Sequence, residues 1–135
     1  MPPAITTPHI LETALYAEDL DAAAGFYGGV MGLPQVSRHP TRHVFFRVAG
    51  AMLLVFRPEE TSKGQPPHLT HGATGQGHVC FAASDAQIDA WRGVFEAKGI
   101  AIEADLHWPN GARSLYVRDP AGNSVEFAEP HLWAP

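Results

Sequence analysis

Residues 114–130, SLYVRDPAGNSVEFAEP, read as strand, tight turn, strand. Leu115 and Val117 alternate with Tyr116 and Arg118, the two-residue period of a strand whose faces differ. Asp119-Pro120-Ala121-Gly122-Asn123 supplies the turn, with Pro120 fixing one φ and Gly122 free to take a positive one. The returning strand, residues 124–128, carries Glu126 between Val125 and Phe127. A carboxylate there either faces solvent or has a partner, because burying it alone is expensive.

Working outward, the same elements recur. Residues 10–17 alternate as a strand with Ile10, Glu12, Ala14 and Tyr16 on one face. Asp19 caps a helix over residues 20–31, where Leu20, Ala23, Ala24, Tyr27 and Met31 keep helical spacing, although Gly25, Gly28 and Gly29 weaken it. Strands follow over 34–37, 43–48 and 52–56. Residues 57–77 form a polar Pro/Gly/Thr-rich connector, long enough to be a linker or a functional lid. Then a strand over 77–83 places His78 and Cys80 on one face. Ser84 or Asp85 caps a helix over 86–98, and Gly99 stops it. A strand over 100–104 and a loop over 105–112 lead to the closing pair.

Each half runs strand, helix, three strands. Glu12 and His78 are 66 positions apart, as are Asp19 and Asp85, and Gly50 and Gly122 are 72 apart. Such duplication predicts an α+β fold of two βαβββ modules forming a cupped mixed sheet. One domain, residues 1–135, then comprises module 1 at about 9–57, the connector at about 57–77 and module 2 at about 77–131. Glu12 and His78 occupy twin places on the first strand of each module, and Glu126 lies on the last strand of the second. If the sheets cup, the three converge as one imidazole and two carboxylates, a set suited to one divalent ion (Zn, Ni, Mn, Fe or Co) with positions left open. Taken singly, a strand histidine is ordinarily hydrogen-bonded packing and a strand glutamate ordinarily solvated.

The totals narrow the partners. A formal charge of −5 and a pI near 5.8 argue against nucleic acid or an anionic membrane surface. No apolar run reaches the ~18 residues of a membrane span. The single cysteine, Cys80, excludes an internal disulfide, and residues 1–4 show no export signal, so a cytoplasmic protein is expected.

The pieces LETALYAEDLDAAAGFYGGVMGL, GHVCFAASDAQIDAWRGVFEAKG and SLYVRDPAGNSVEFAEP resemble the vicinal oxygen chelate superfamily. That group contains glyoxalase I, bleomycin-resistance proteins, fosfomycin-resistance enzymes, methylmalonyl-CoA epimerase and extradiol dioxygenases. The resemblance implies metal ligands at His78 and Glu126, with Glu12 standing where many members carry histidine or glutamine. Glyoxalase-like members add a ligand on the last strand of the first module, where this chain has Leu54. Ala14 stands where fosfomycin-type transferases usually carry threonine. The implied activity is a metal-dependent lyase, isomerase or transferase that chelates a small oxygenated substrate, with Glu12 or Glu126 taking the proton. A non-catalytic drug or metabolite binder and an extradiol-type dioxygenase are the alternatives. Homodimers with exchanged modules are common in the family, and would bring Glu12 of one chain to His78 and Glu126 of the other.

Near the expected mouth lie Arg113, Tyr116, Trp108 and His107 as substrate-pocket residues, with Asn110 of the same late loop and His68 and His71 of the connector as further candidates. Arg113 is a candidate bidentate donor to an anionic group. His39 and His43 read as surface residues, and residues 131–133 as a cap.

Overall fold

The computed structural model describes residues 3–135; Met1 and Pro2, at the start of the N-terminal arm, lie outside the described residues. Eight strands form two four-stranded mixed sheets: β1 (Glu12–Tyr16), β2 (Gln35–His39), β3 (His43–Val48) and β4 (Ala51–Phe56) in the first, β5 (His78–Ala82), β6 (Ala104–His107), β7 (Arg113–Arg118) and β8 (Ser124–Ala128) in the second. Their spatial orders, β1-β4-β3-β2 and β5-β8-β7-β6, are the same topology twice. In each sheet the first strand runs parallel to the last and the remaining pairs are antiparallel. The registers also repeat: Ala14 sits opposite Leu54 as Cys80 sits opposite Glu126. Leu54 is thus the structural twin of Glu126.

Asp19 accepts from the Ala22 amide and starts α1 (Leu20–Ala24). The expected single α-helix over 20–31 is corrected here, because from Gly25 to Val30 the chain widens into a π-helix, with the Met31 amide donating five residues back to Phe26 at 2.9 Å. The wide turn buries the consecutive Phe26 and Tyr27 together. Gly28 permits the packing, since a Cβ there would lie 3.3 Å from Phe46 Cε1. In the second half α3 (Asp85–Ala97) begins with a reciprocal capping box between Ser84 and Gln87. The strand expected over 100–104 is likewise displaced. Ile100 and Ile102 pack on the core as an approach segment, and ladder pairing runs over Ala104–His107 opposite β7. Apolar alternation marked burial there, not sheet pairing.

One core joins both halves. Phe26 stacks on Phe95 at 6.0 Å, and Phe95 in turn meets Trp91 and Phe127. The 119–123 turn acts as a latch between modules. Tyr27 Oη donates to Asp119 Oδ2 at 2.7 Å, Asn123 Nδ2 donates to Asp119 Oδ2 and to the Tyr16 carbonyl, and the Gly77 amide donates to Asn123 Oδ1. Gly122 has φ +87, as that turn requires.

The connector is not a loose tether. It forms α2 (Pro58–Thr61) and a short 3-10 turn at Pro67–Leu69, buries Thr61, and returns to module 1. There His71 Nδ1 meets Tyr16 Oη at 2.7 Å and the imidazole packs edge-on against Phe56 at 4.5 Å. His43 is also no surface residue: it is part-buried, stacks on Phe45 at 4.0 Å, and burial lowers its pKa. Among the described residues no helix is long and apolar enough to cross a membrane.

Candidate functional site

Strand alternation divides each sheet into a face against the helices and an open face. On β8, Val125 and Phe127 enter the core, so Glu126 turns to the open face, yet only 5% of it is accessible. Its two oxygens have different partners. Oε2 accepts from Ser114 Oγ at 2.6 Å, and Oε1 lies 3.3 Å from His78 Nε2. The half-exposed His78 has its other nitrogen, Nδ1, 3.1 Å from the Ser124 carbonyl.

A carbonyl only accepts, so Nδ1 carries the proton of that bond. In the neutral ring, Nε2 is therefore a lone pair aimed at a carboxylate oxygen. Two lone pairs at that distance repel unless a proton or a cation lies between them. The donor set fits a divalent ion as two of its ligands: a neutral imidazole fixed in the correct tautomer by its far nitrogen, and a carboxylate fixed by its far oxygen.

Glu12 does not join them within one chain. It sits exposed on the open face of β1, at the twin position of His78, and both line a groove of about 310 Å³ between β1 and β5. Among the described residues, no three His, Cys, Asp or Glu side chains converge as a metal set.

Tyr116, opposite Glu126 on β7, stacks on His78 at 6.4 Å. Loss of hydration, and then Glu126, pushes its phenol up to about 12. Cys80, opposite Glu126 on β5, is pushed up to about 12 by the same two causes in the same order, so at neutral pH it is a thiol.

Beside Glu126 opens a groove of about 420 Å³, walled by Trp108, Pro109, Asn110, Tyr116, Leu132 and Trp133. The turn after β6 builds it: the Trp108 amide donates to the Ala112 carbonyl and the Gly111 amide to the Trp108 carbonyl. Asn110 Nδ2 donates to the His131 and Leu132 carbonyls, tying the C-terminal 3-10 turn to this hairpin. The expected cap is a groove wall. Trp108 Nε1 donates to Ser114 Oγ at 2.8 Å.

Two expected pocket residues lie elsewhere. Arg113 alternates with Ser114 and faces the helices, 8% accessible, where its guanidinium bonds Asp105, Asp89 and Asp85. Those bonds, led by Asp105, raise its pKa and leave no donor fork for a substrate. His107 is opposite Arg113 in register and shares that face, outside the groove. The missed residues are Ser114, Asn110 as a clasp, Leu132 and Trp133. Ser114 was within reach of sequence reasoning, since two-residue alternation places it with Tyr116.

The comparisons agree with this architecture. The family model described as Glyoxalase/Bleomycin resistance protein/Dioxygenase superfamily matches residues 9–127. A lactoylglutathione lyase structure from Agrobacterium tumefaciens superposes with a TM-score of 0.91 at 50% identity, over 96% of this chain and 98% of that one. An uncharacterized protein of Pseudomonas aeruginosa is 32% identical over 131 residues, 90% of this chain and 89% of its own length. The oxidase ChaP-H2 shares the fold alone, at 20% identity and a TM-score of 0.67 over 92% of this chain and 94% of that one.

Proposed function

The chain belongs to the glyoxalase/bleomycin resistance protein/dioxygenase superfamily, and from that premise we propose that it is a metal-dependent enzyme of the lyase or isomerase kind, acting on a small oxygenated molecule. The observation that carries this reading is the His78–Glu126 pair, two anchored donors facing each other at 3.3 Å over a buried carboxylate. The likeness to a lactoylglutathione lyase at 50% identity supports the reaction type. Leu54 at the twin position of Glu126 argues for a ligand set different from that of glyoxalase I.

His78 and Glu126 would hold the ion, which when bound supplies a Lewis acid to two neighbouring substrate oxygens. The rest falls to the chain itself. Ser124 keeps His78 in the tautomer that leaves Nε2 free, and Ser114 keeps one Glu126 oxygen occupied so that the other faces the site. Glu12 and Glu126 are the two carboxylates available to accept a substrate proton. Trp108, Trp133, Leu132 and Tyr116 shelter the organic part of the substrate and exclude water.

Glu12 completes the set from a second copy of the chain, in a homodimer whose modules exchange. Its exposure on the open face of β1, and the incomplete set within one chain, support that assembly.

Elemental analysis of tag-free protein after dialysis tests the reading. About one transition-metal ion per chain is expected, with iron or manganese pointing to dioxygenase chemistry. No metal, and none taken up on addition, overturns it in favour of a binder, for which the aromatic groove alone would suffice.

A further inference from the structure

Ser114 has no accessible surface, and its hydroxyl is engaged on both sides. It accepts from the Trp108 indole N–H at 2.8 Å and donates to Glu126 Oε2 at 2.6 Å. We propose that Trp108 and Ser114 form a positioning relay that holds the Glu126 carboxylate in the orientation presenting Oε1 to His78. The inference rests on the reading of His78 and Glu126 as a ligand pair.

The direction of the relay follows from donor inventory. An indole nitrogen donates and never accepts, while a serine hydroxyl has one proton and two lone pairs. With the indole N–H on one lone pair, the hydroxyl is oriented and its single proton goes to the carboxylate. Bonds to a charged acceptor are short and strong, in keeping with the 2.6 Å contact.

Sheet register puts the three residues in reach. Ser114 lies opposite Ala128 and Tyr116 opposite Glu126, so Ser114 is the diagonal neighbour of Glu126 on the open face. Trp108 is delivered by the turn that Asn110 clasps to residues 131–132. The indole that walls the groove is therefore the same group that, through one hydroxyl, orients the buried carboxylate.

Groups that orient a metal ligand through its far atom typically change ion affinity by about 10- to 100-fold when removed. The test uses metal-free, full-length protein and Co²⁺ as the probe, with affinity from calorimetry and the visible spectrum of the Co²⁺-loaded protein. Ser114→Ala should weaken Co²⁺ binding by about tenfold or more and alter the spectrum. Trp108→Phe, which keeps an aromatic wall but loses the N–H, should move both in the same direction. Ser114→Thr should restore both. Co²⁺ affinity and spectrum unchanged in Ser114→Ala would overturn the relay.

A second readout needs no ion. In metal-free protein the Trp108 indole N–H signal, identified by its loss in Trp108→Phe, should shift in Glu126→Gln, because the hydroxyl between them is shared. An unmoved signal also overturns the relay. If the wild-type chain binds no Co²⁺ while the indole signal does shift, the relay stands and the ligand-pair reading fails.

Discussion

Asp105→Asn separates the buried role of Arg113 from the pocket role its sequence position suggested. Asp105 accepts from Arg113 Nε and Nη2 at 2.9 and 2.8 Å and from Arg92 at 2.7 Å, with its side chain 17% accessible. The Arg113 bonds, foremost, draw its carboxyl down from 3.8 to about 2. At about 1.4 kcal/mol per unit, that depression is worth about 2 kcal/mol of stability at neutral pH. Because the folded value lies below the unfolded one, the stabilisation is fully present above the unfolded value and is lost as pH falls from about 4 toward 2. Asparagine never ionises, so urea unfolding should show the variant less stable by up to about 2 kcal/mol at neutral pH, with roughly half that gap at pH near 3. Arg113 retains Asp85 and Asp89, which makes the figure an upper value. A variant as stable as wild type at neutral pH, or a gap that does not shrink in acid, would refute the account of Arg113 as an ion-pair hub.

His78→Ala and Glu126→Ala should each lower bound metal in elemental analysis, and unchanged content in both would remove the site assignment. Tyr27→Phe leaves the buried Asp119 Oδ2 with Asn123 as its remaining side-chain donor; a loss of about 2 kcal/mol in urea unfolding is expected, and a value near zero would show that the latch contributes nothing. Ala49 holds φ +49 in the turn between β3 and β4, so Ala49→Gly should stabilise by about 1 kcal/mol in the same assay. Gly28→Ala should instead destabilise by about 1 kcal/mol or more, because the added Cβ meets the fully buried ring of Phe46, and melting temperature reports the sign.

Duplication made the fold legible. Two helices, twin strands and the glycines Gly50 and Gly122 of the last hairpin turns recur at near-constant offsets, and a two-residue period assigned the faces of β1, β5, β7 and β8 correctly. What sequence could not distinguish was burial from pairing. Ile100 and Ile102 look like a strand and are an approach to one, because alternation reports which side is wet and says nothing about a ladder partner. The π-turn at Gly25–Val30 escaped for a related reason: glycines signal a weak helix without saying which way it will deform. For the site, His78, Glu126, Tyr116 and Trp108 come together, while Arg113 and His107 were misplaced by proximity in sequence. Arg113 is one position out of phase with Tyr116 and Ser114, and in a strand one position is the opposite face.

The twin positions show why the two modules are not interchangeable. Position for position on the open faces, His78 replaces Glu12, Cys80 replaces Ala14 and Glu126 replaces Leu54. Module 1 presents Tyr16, Phe45, Phe56, His43 and His71 packed on one another, an aromatic face in which a carboxylate at position 54 would have to compete with dense ring contacts. On module 2 the carboxylate instead has the Ser114 hydroxyl on one oxygen, with an indole behind the serine, and faces His78 Nε2 with the other. Glu126 is 95% covered with one oxygen held by the Ser114 hydroxyl, and the other, facing His78 Nε2, is left for a proton or a cation to satisfy. The two halves thus share one topology, while the anchored pairing of an imidazole with a buried carboxylate is found in the second alone.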